Sequence, residues 1–308
     1  MSLRYVDGDT VHHVLEWKSL VAAMRTGHTL PRAATGRLFE RVGDDGLLIL
    51  PAWESGAAIG VKLVTIFPGN PAERRPSVQA VYVVFNGETG SPEAVIDGTA
   101  LTYRKTAGDS ALGADMLARH DVRTLLVVGA GGLAPYLLDA HRSVRPSIER
   151  VLVWNRTPQR AVDLANSVDG GRPVDDLATA VAEADVITTA TMSPTPLILG
   201  NWLRPGTHVD LVGAYRPDLR ESDDDVMTIG RIFVDNHETT TEEAGDLVQP
   251  LATGVIDRSD VLGDLFALCG GDIAGRTNEE EITVFKNGGG GQLDLMVARH
   301  LLATIDGN

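Results

Sequence analysis

Short apolar runs separated by helix-like segments fill the middle and the later part of the chain. The runs are TLLVV (124–128), RVLVW (150–154), DVITTAT (185–191), HVDLVG (208–213) and RIFVD (231–235). Continuous apolar runs of this length are typical of strands buried on both faces, and alternation with helices is typical of a parallel sheet. We therefore predict a Rossmann-type, doubly wound α/β domain over residues 119–289.

Residues 1–118 have a different pattern. The runs GLLILPAW, AIGVKLVTIFP, SVQAVYVVFN and PEAVID are separated by the turn sequences GDDG, PGNP and NGETG. This arrangement predicts a second α/β domain that is rich in strands. The acidic run ESDDDV (221–226) is expected to begin a helix, because carboxylates are favoured at the positive end of the helix dipole.

Two groups of cations stand out from these patterns. Lys62 interrupts an apolar strand, and a buried ammonium is costly, so it is expected to be either paired or functional. Arg104 and Lys105 stand side by side before a run of small residues. They form either an ordinary surface pair or a site for an anion.

A glycine-rich turn follows the strand at 124–128. Gly129, Gly131 and Ala134 have the spacing G-x-G-x-x-A, with Ala130 and Gly132 between them. The first glycine permits a tight turn, the second lets the backbone approach a pyrophosphate, and the small third residue lets the helix pack on the strand. In this strand–turn–helix context the spacing predicts a dinucleotide site.

The tip of the next strand bears on the choice of cofactor. NAD sites usually carry Asp or Glu there for the ribose 2′-OH, whereas this chain has Asn155-Arg156-Thr157. A guanidinium suits a 2′-phosphate, so NADP(H) is favoured. NAD(H) stays possible, because Asn155 is able to bond a 2′-OH.

Composition restricts the partners. The chain has 308 residues, a formal charge of −15 and a single cysteine, Cys269. We expect no nucleic-acid or anionic-membrane partner, no disulfide and a cytoplasmic location, since no signal-peptide or membrane-helix pattern is visible. His12-His13 lacks a spaced third ligand, so no metal site is expected.

Nine segments, in the same order along almost the whole chain, resemble the ornithine cyclodeaminase/mu-crystallin family. They are LPAW (50–53), GVKLVT (60–65), GETGSPEAVIDGTALT (87–102), KTAGDSALGA (105–114), VVGAGGLA (127–134), VWNRT (153–157), GAYRPDLRE (213–221), VDNHETTTEEAGDL (234–247) and TVFKNGG (283–289). The resemblance implies a substrate-binding domain that forms a homodimer, an NAD(P)-binding Rossmann domain, and a substrate cleft between them. It also implies that a helix at about 290–308 completes the first domain; Leu293, Val297 and Leu301 lie on one face of that pattern.

The resemblance also assigns roles to individual residues. Lys62 matches the active-site lysine, and Lys105 stands where relatives have a carboxylate-binding arginine, with Arg104 one position earlier. Arg32 is the best match to a second such arginine, although Arg37 competes with it. Further positions implied near the cofactor or the substrate are Thr106, Ser110, Thr191, Gly213, Lys286 and Asp294.

Tyr215 is the most informative departure from the family. Cyclodeaminases have an aspartate after Gly-Ala here, assigned to the amine of the substrate and to deamination, and GAYRPDLRE lacks it. The chain therefore resembles the reductases of ketimines and other imino acids, with iminosuccinate as one candidate substrate. The alternatives are an ornithine cyclodeaminase, an alanine dehydrogenase-type enzyme and a non-catalytic NADP-binding protein.

Overall fold

The computed structural model describes residues 3–307, apart from the side chain of Pro71. It contains two compact units, one of Met1–Lys105 with Gly290–Asn308 and one of Thr106–Gly289. The division lies inside a continuous helix and before the boundary predicted at residue 118. The predicted roles of the two domains stay predictions.

The first unit is built on a seven-stranded sheet. Its elements along the chain are β1 (Arg4–Val6), α1 (Gly8–Val14), α2 (Trp17–Gly27), β2 (Ala34–Thr35), β3 (Leu38–Val42), β4 (Asp45–Glu54), β5 (Ala58–Ile66), β6 (Val78–Asn86) and β7 (Pro92–Asp97). The strand order is β1-β7-β6-β5-β4-β2, with β3 also paired to β4, and only β1 runs parallel to its neighbour. The four strands predicted here are present.

Helix α3 (Gly98–Leu117) follows and carries the chain into the second unit. Its elements are β8 (Thr124–Val128), α4 (Ala134–Val144), β9 (Arg150–Trp154), α5 (Pro158–Asn166), β10 (Gly171–Pro173), α6 (Leu177–Glu183), β11 (Val186–Thr189), β12 (His208–Leu211), α7 (Asp224–Ile229), β13 (Arg231–Val234), α8 (His237–Glu243), α9 (Gly245–Thr253), β14 (Val261–Asp264), α10 (Leu265–Gly270) and β15 (Thr283–Lys286). The eight strands are all parallel, in the order β10-β9-β8-β11-β12-β15-β13-β14.

This strand order confirms the predicted doubly wound fold. The chain moves outward from β8 through β9 to β10 and then crosses to β11 on the other side of β8. Ligands in such sheets bind at the carboxyl ends of the strands, at the point where the order reverses. Here that point lies between β8 and β11.

The sheet of the second unit is covered on both faces. Within β8, Leu126 and Val128 belong to one apolar cluster, whereas Leu125 and Val127 belong to the other. Alternate side chains of one strand therefore enter opposite cores, which explains why the buried strands appear in the sequence as unbroken apolar runs.

The last helix, α11 (Gly291–Ile305), belongs to the first unit. It packs against α2, β4 and β5, and the predicted face of Leu293, Val297 and Leu301 is fully buried. In the part of the chain that the structure describes, no helix combines the length and the apolar composition needed to cross a bilayer.

Candidate active site

Lys62 lies at the centre of the first unit, on the covered face of β5. Alternate residues of this strand are buried, and Lys62 occupies one of the buried positions with 7% of its surface exposed. Its direct neighbour on β6 is Tyr82, which is fully buried. The Tyr82 ring lies over Gly60, where an added Cβ would come within 1.9 Å of the phenol oxygen.

Asp294 of α11 pairs with this lysine. The Lys62 Nζ and the Asp294 Oδ2 are 2.6 Å apart, and Asp294 is fully buried. Burial and the nearby Asp294 carboxylate raise the pKa of Tyr82 well above its ordinary value, so this phenol stays neutral. The family resemblance had placed Asp294 near the site without settling its role, and the structure makes it the counter-ion of Lys62.

A second cation, Lys105 of α3, lies close enough to act on Lys62. Burial lowers the pKa of Lys62, the positive charge of Lys105 lowers it further, and the Asp294 carboxylate opposes both effects. Lys105 is itself buried, with 4% of its surface exposed. Two ammonium groups and one carboxylate are thus enclosed together in the first unit, which is a common way to prepare an amine for acid–base chemistry.

Arg104 and Lys105 have different environments because they lie on a helix. Successive helical residues point about 100° apart, so the two neighbours need not serve one site. The Arg104 guanidinium donates to the His12 carbonyl at 2.6 Å and to the His12 ring at 3.2 Å, and it stacks 4.2 Å from the Trp17 ring centre. Arg104 is therefore occupied by α1 and α2, and the structure favours Lys105 as the cation of the site.

The other predicted substrate ligands lie in loops. Arg32 is exposed in the segment before β2, and Arg37 is exposed between β2 and β3. Tyr215 is half exposed in the loop that follows β12, with the Arg216 guanidinium 5.9 Å from its ring centre. Their predicted contacts with substrate stay predictions.

The glycine-rich turn of the second unit has the conformation that the motif predicts. Gly129 has φ of +104°, and a Cβ there would lie 2.7 Å from the Ala190 carbonyl oxygen. Around Gly131 there is open space, since no atom lies within 4 Å of an added Cβ. Ala134 begins α4 and is fully buried in the core. The backbone thus has room for a pyrophosphate at the start of α4, and a dinucleotide fits these residues.

Asn155 joins this turn to the tip of β9. Its side-chain oxygen accepts from the Ala130 N–H at 3.0 Å, and its amide nitrogen donates to the Thr157 carbonyl at 2.9 Å. Arg156 beside it is exposed. A cavity of about 330 Å³ adjoins the turn and is lined by Ala130, Gly131, Pro135, Arg160, Asp163, Leu164 and Ser167. Arg160 is a cation of this region that the sequence reasoning did not single out.

Thr191 and Gly213 follow β11 and β12, and a buried glutamate joins them. Glu221 accepts from the Thr191 N–H at 2.6 Å and its hydroxyl at 2.7 Å, from the Thr189 hydroxyl at 2.7 Å and from the Gly213 N–H at 2.6 Å. Glu221 is fully buried. The acidic run does begin a helix, because Asp223 caps α7, but its first residue points inward instead.

Two residues expected to contact the cofactor are enclosed in the protein. Lys286 is fully buried, and its Nζ lies 3.2 Å from the Asp246 Oδ2. Ser110 is also fully buried and donates to the Asp210 carboxylate at 2.9 Å. The predicted contact of each of these residues with a cofactor stays a prediction. Thr106 remains partly exposed, and its carbonyl accepts from the Asn287 side chain at 3.0 Å.

Comparison with known proteins agrees with this geometry. The model of the ornithine cyclodeaminase/mu-crystallin family matches residues 17–306. The chain belongs to this family. The matched residues include parts of both units.

Members of the family that resemble this chain include a Delta(1)-pyrroline-2-carboxylate reductase of Paracoccus denitrificans. It is 46% identical over 297 residues, which span 95% of this chain and 94% of the relative. The solved Delta(1)-pyrroline-2-carboxylate reductase of Thermococcus litoralis, in complex with NADH and L-proline, has a TM-score of 0.91 and 27% identity over 99% of this chain and 98% of its own. The solved structure of an archaeal alanine dehydrogenase dimer with bound NAD has a TM-score of 0.91 and 26% identity, and the match covers 100% of this chain and 97% of that chain.

This chain contains few lysines. It has four lysines, Lys18, Lys62, Lys105 and Lys286, and the remaining 23 of its 27 basic side chains are arginines. Lys62, Lys105 and Lys286 are buried and only Lys18 is exposed. Three of the four lysines are thus interior residues, where an ammonium is a compact charge with an adjustable pKa, whereas many of the arginines are exposed.

We predict that the pKa of Lys62 responds in opposite directions to its two charged neighbours. Lys105→Met removes a like charge and should raise the pKa of Lys62, whereas Asp294→Asn removes the counter-ion and should lower it. NMR titration of protein labelled with ¹⁵N-lysine measures both, since the chain has only four lysine signals.

Lys18→Met is the matched control, because Lys18 is exposed on α2, and it should leave the Lys62 titration unchanged. If the pKa of Lys62 were the same in the native protein, in Lys105→Met and in Asp294→Asn, Lys62 would not interact with these two neighbours.

Proposed function

We propose that this protein reduces a small α-imino acid with a single carboxylate to the L-amino acid, using a nicotinamide dinucleotide. Delta(1)-pyrroline-2-carboxylate is the model substrate, in line with the activity for which the relatives of Paracoccus denitrificans and Thermococcus litoralis are named. The buried cluster of Lys62, Lys105 and Asp294 is the observation that carries the proposal.

The charge of this cluster favours a monocarboxylate. Two ammonium groups and one carboxylate leave a net charge of +1, which matches one substrate carboxylate. A dicarboxylic imine such as iminosuccinate needs another cation. Arg104 is held by His12 and Trp17, and Arg32 is exposed in a loop, so neither is prepared for that role.

In the proposed mechanism, Lys105 binds the substrate carboxylate and Lys62 donates a proton to the imine nitrogen. Protonation makes the C=N carbon electrophilic, and that carbon then accepts a hydride, which gives the amine. Bound reduced nicotinamide supplies the hydride. Asp294 keeps Lys62 in place, and its carboxylate opposes the lowering of the Lys62 pKa that burial causes.

Residues of the second unit would hold the cofactor. The pyrophosphate would bind at the Gly129–Ala134 turn, where Gly131 leaves the backbone open. Thr191 and Gly213 would form the wall beyond the switch point, and Asn155 fixes the turn against the tip of β9. Tyr215 stands where cyclodeaminases use a carboxylate, which disfavours ornithine deamination.

Reduction of Delta(1)-pyrroline-2-carboxylate by purified protein, followed as loss of reduced nicotinamide absorbance, tests the function. Native protein should form L-proline, and Lys62→Met should lower kcat/KM at least about a hundredfold because it removes the proton donor. Dinucleotide binding by Lys62→Met should stay intact, and Lys18→Met should behave as the native protein does.

The same assay separates the alternatives. Oxaloacetate with ammonia offers iminosuccinate, pyruvate with ammonia tests an alanine dehydrogenase, and L-ornithine with NAD⁺ tests a cyclodeaminase. Faster turnover of any of these would replace the proposal. Dinucleotide binding without turnover of any substrate would favour a binding protein.

We also propose a preference for NADPH. Arg156 is exposed at the tip of β9, Arg160 lines the cavity beside the glycine-rich turn, and no acid occupies the position that grips a ribose 2′-OH. Arg156→Ala should raise the KM for NADPH about tenfold and leave that for NADH nearly unchanged. Arg150→Ala, at the opposite end of β9 in an exposed pair with Glu183, is the control. Unaltered use of NADPH by Arg156→Ala would remove this assignment.

We further propose a homodimer formed through the open face of the first sheet. Apolar side chains from three adjacent strands share this face: Ile49, Trp53, Ile59, Val61, Leu63, Val81, Val83 and Phe85. Trp53 and Val81 are 55% and 37% exposed, and a patch of this kind on one chain usually marks an interface.

Light scattering on a sizing column tests the dimer. Val81→Asp should give a folded monomer, because Val81 is exposed in the single chain and its substitution disturbs the interface only. Ile229→Asp is the control, since Ile229 is a comparably exposed residue of the second unit. A native protein of monomer mass would contradict this part of the proposal.

A further inference from the structure

A buried anionic cluster lies at the carboxyl ends of β11, β12 and β15. Glu221, Asp246 and Lys286 are all fully buried, and their charges sum to −1. Lys286 pairs with Asp246, and Asp246 accepts in turn from the Glu221 N–H at 2.8 Å and the Ser222 N–H at 3.1 Å. We refer to Glu221, Asp246 and Lys286 as the strand-end cluster.

The hydrogen bonds of Glu221 are those of an ionised carboxylate. Each oxygen accepts one backbone N–H and one threonine hydroxyl, and the two N–H contacts are short at 2.6 Å. Burial, which is the largest effect, and the Asp246 carboxylate raise the pKa of Glu221, and Lys286 and the hydroxyls of Thr189 and Thr191 only partly offset this rise. Asp235, buried at the end of β13, adds another anion on the same side of the sheet.

A charge at this place faces one half of a dinucleotide. In a doubly wound sheet the glycine-rich turn takes the pyrophosphate, and the two mononucleotides lie on either side of the switch point. Arg156, the proposed ligand of the adenosine 2′-phosphate, lies on the β8–β9 side of the switch point. The nicotinamide half would therefore bind on the β11–β12 side. Glu221 joins the two loops of that side directly, through Thr191 and Gly213.

We propose that the strand-end cluster stabilises the oxidised, cationic nicotinamide relative to the neutral reduced form. This inference rests on the proposed function. Glu221 acts as a positioning residue that fixes the loops, and its charge also favours the positive charge that the ring gains as hydride leaves. Fixed charges inside a protein act more strongly than the same charges in water, because solvent does not screen them.

The test compares binding of the oxidised and the reduced dinucleotide without substrate. Calorimetry gives the Kd of the oxidised dinucleotide, and fluorescence gives the Kd of the reduced dinucleotide. The measurements use either NADP⁺ and NADPH or NAD⁺ and NADH, whichever pair the native protein binds more tightly. Glu221→Gln, which removes one negative charge, should raise the ratio of the oxidised to the reduced Kd about tenfold. Asp246→Asn should raise the ratio in the same direction, and it carries the test if Glu221→Gln does not fold.

Two controls separate charge from structure. Thr189→Val removes a hydrogen bond to the same carboxylate without removing a charge, so it should weaken both forms alike. Glu281→Gln makes the same chemical change before β15, at the opposite end of that strand, where Glu281 pairs with Arg231 at 3.0 Å. It should leave the ratio unchanged.

Equal weakening of both redox forms by Glu221→Gln and Asp246→Asn would overturn the inference and leave the proposed reductase standing. Absence of dinucleotide binding by the native protein would overturn the reductase and the inference together.

Discussion

The buried ion pair of Lys62 and Asp294 is the interaction on which the candidate site of the first unit depends. It joins the middle of the sheet to the last helix of the chain across 2.6 Å. Removing two charges from water is costly, and well-packed apolar side chains at such positions are often as stable or more so. A pair of this kind, whose lysine also feels the charge of the buried Lys105, is therefore better explained by the chemistry of the site than by stability.

The two units enclose charge of opposite sign. The first buries Lys62, Lys105 and Asp294, and the second buries Glu221, Asp246 and Lys286 in the strand-end cluster, with further carboxylates such as Asp235 at the ends of its strands. Under the proposed function the first sign suits a substrate carboxylate, and the second suits a nicotinamide that becomes positive. The formal charge of −15 for the whole chain indicates neither the positive nor the negative cluster, because each cluster consists of only a few interior residues.

The pattern of apolar residues was sufficient to predict the strands and the doubly wound sheet, since burial on both faces leaves an unbroken apolar run. Lys62 was visible for the same reason, as a cation that interrupts such a run. Glu221 was not visible, because it opens an acidic run whose later members cap and begin α7 on the surface. Only the fold shows that the first acid of the run turns inward to meet four donors, one at the end of β11 and three in the loops that follow β11 and β12.

The choice between Arg104 and Lys105 shows a further limit of sequence reasoning. The direction of a side chain on a helix depends on the rotation of the whole helix, which packing fixes and the local sequence does not. Once α3 is in place, Arg104 stacks on Trp17 and Lys105 is buried near Lys62. A lysine cannot hold a carboxylate with the fork of a guanidinium. Under the proposed function, two separate ammonium groups therefore orient the substrate, and Asp294 fixes the position of one of them, Lys62.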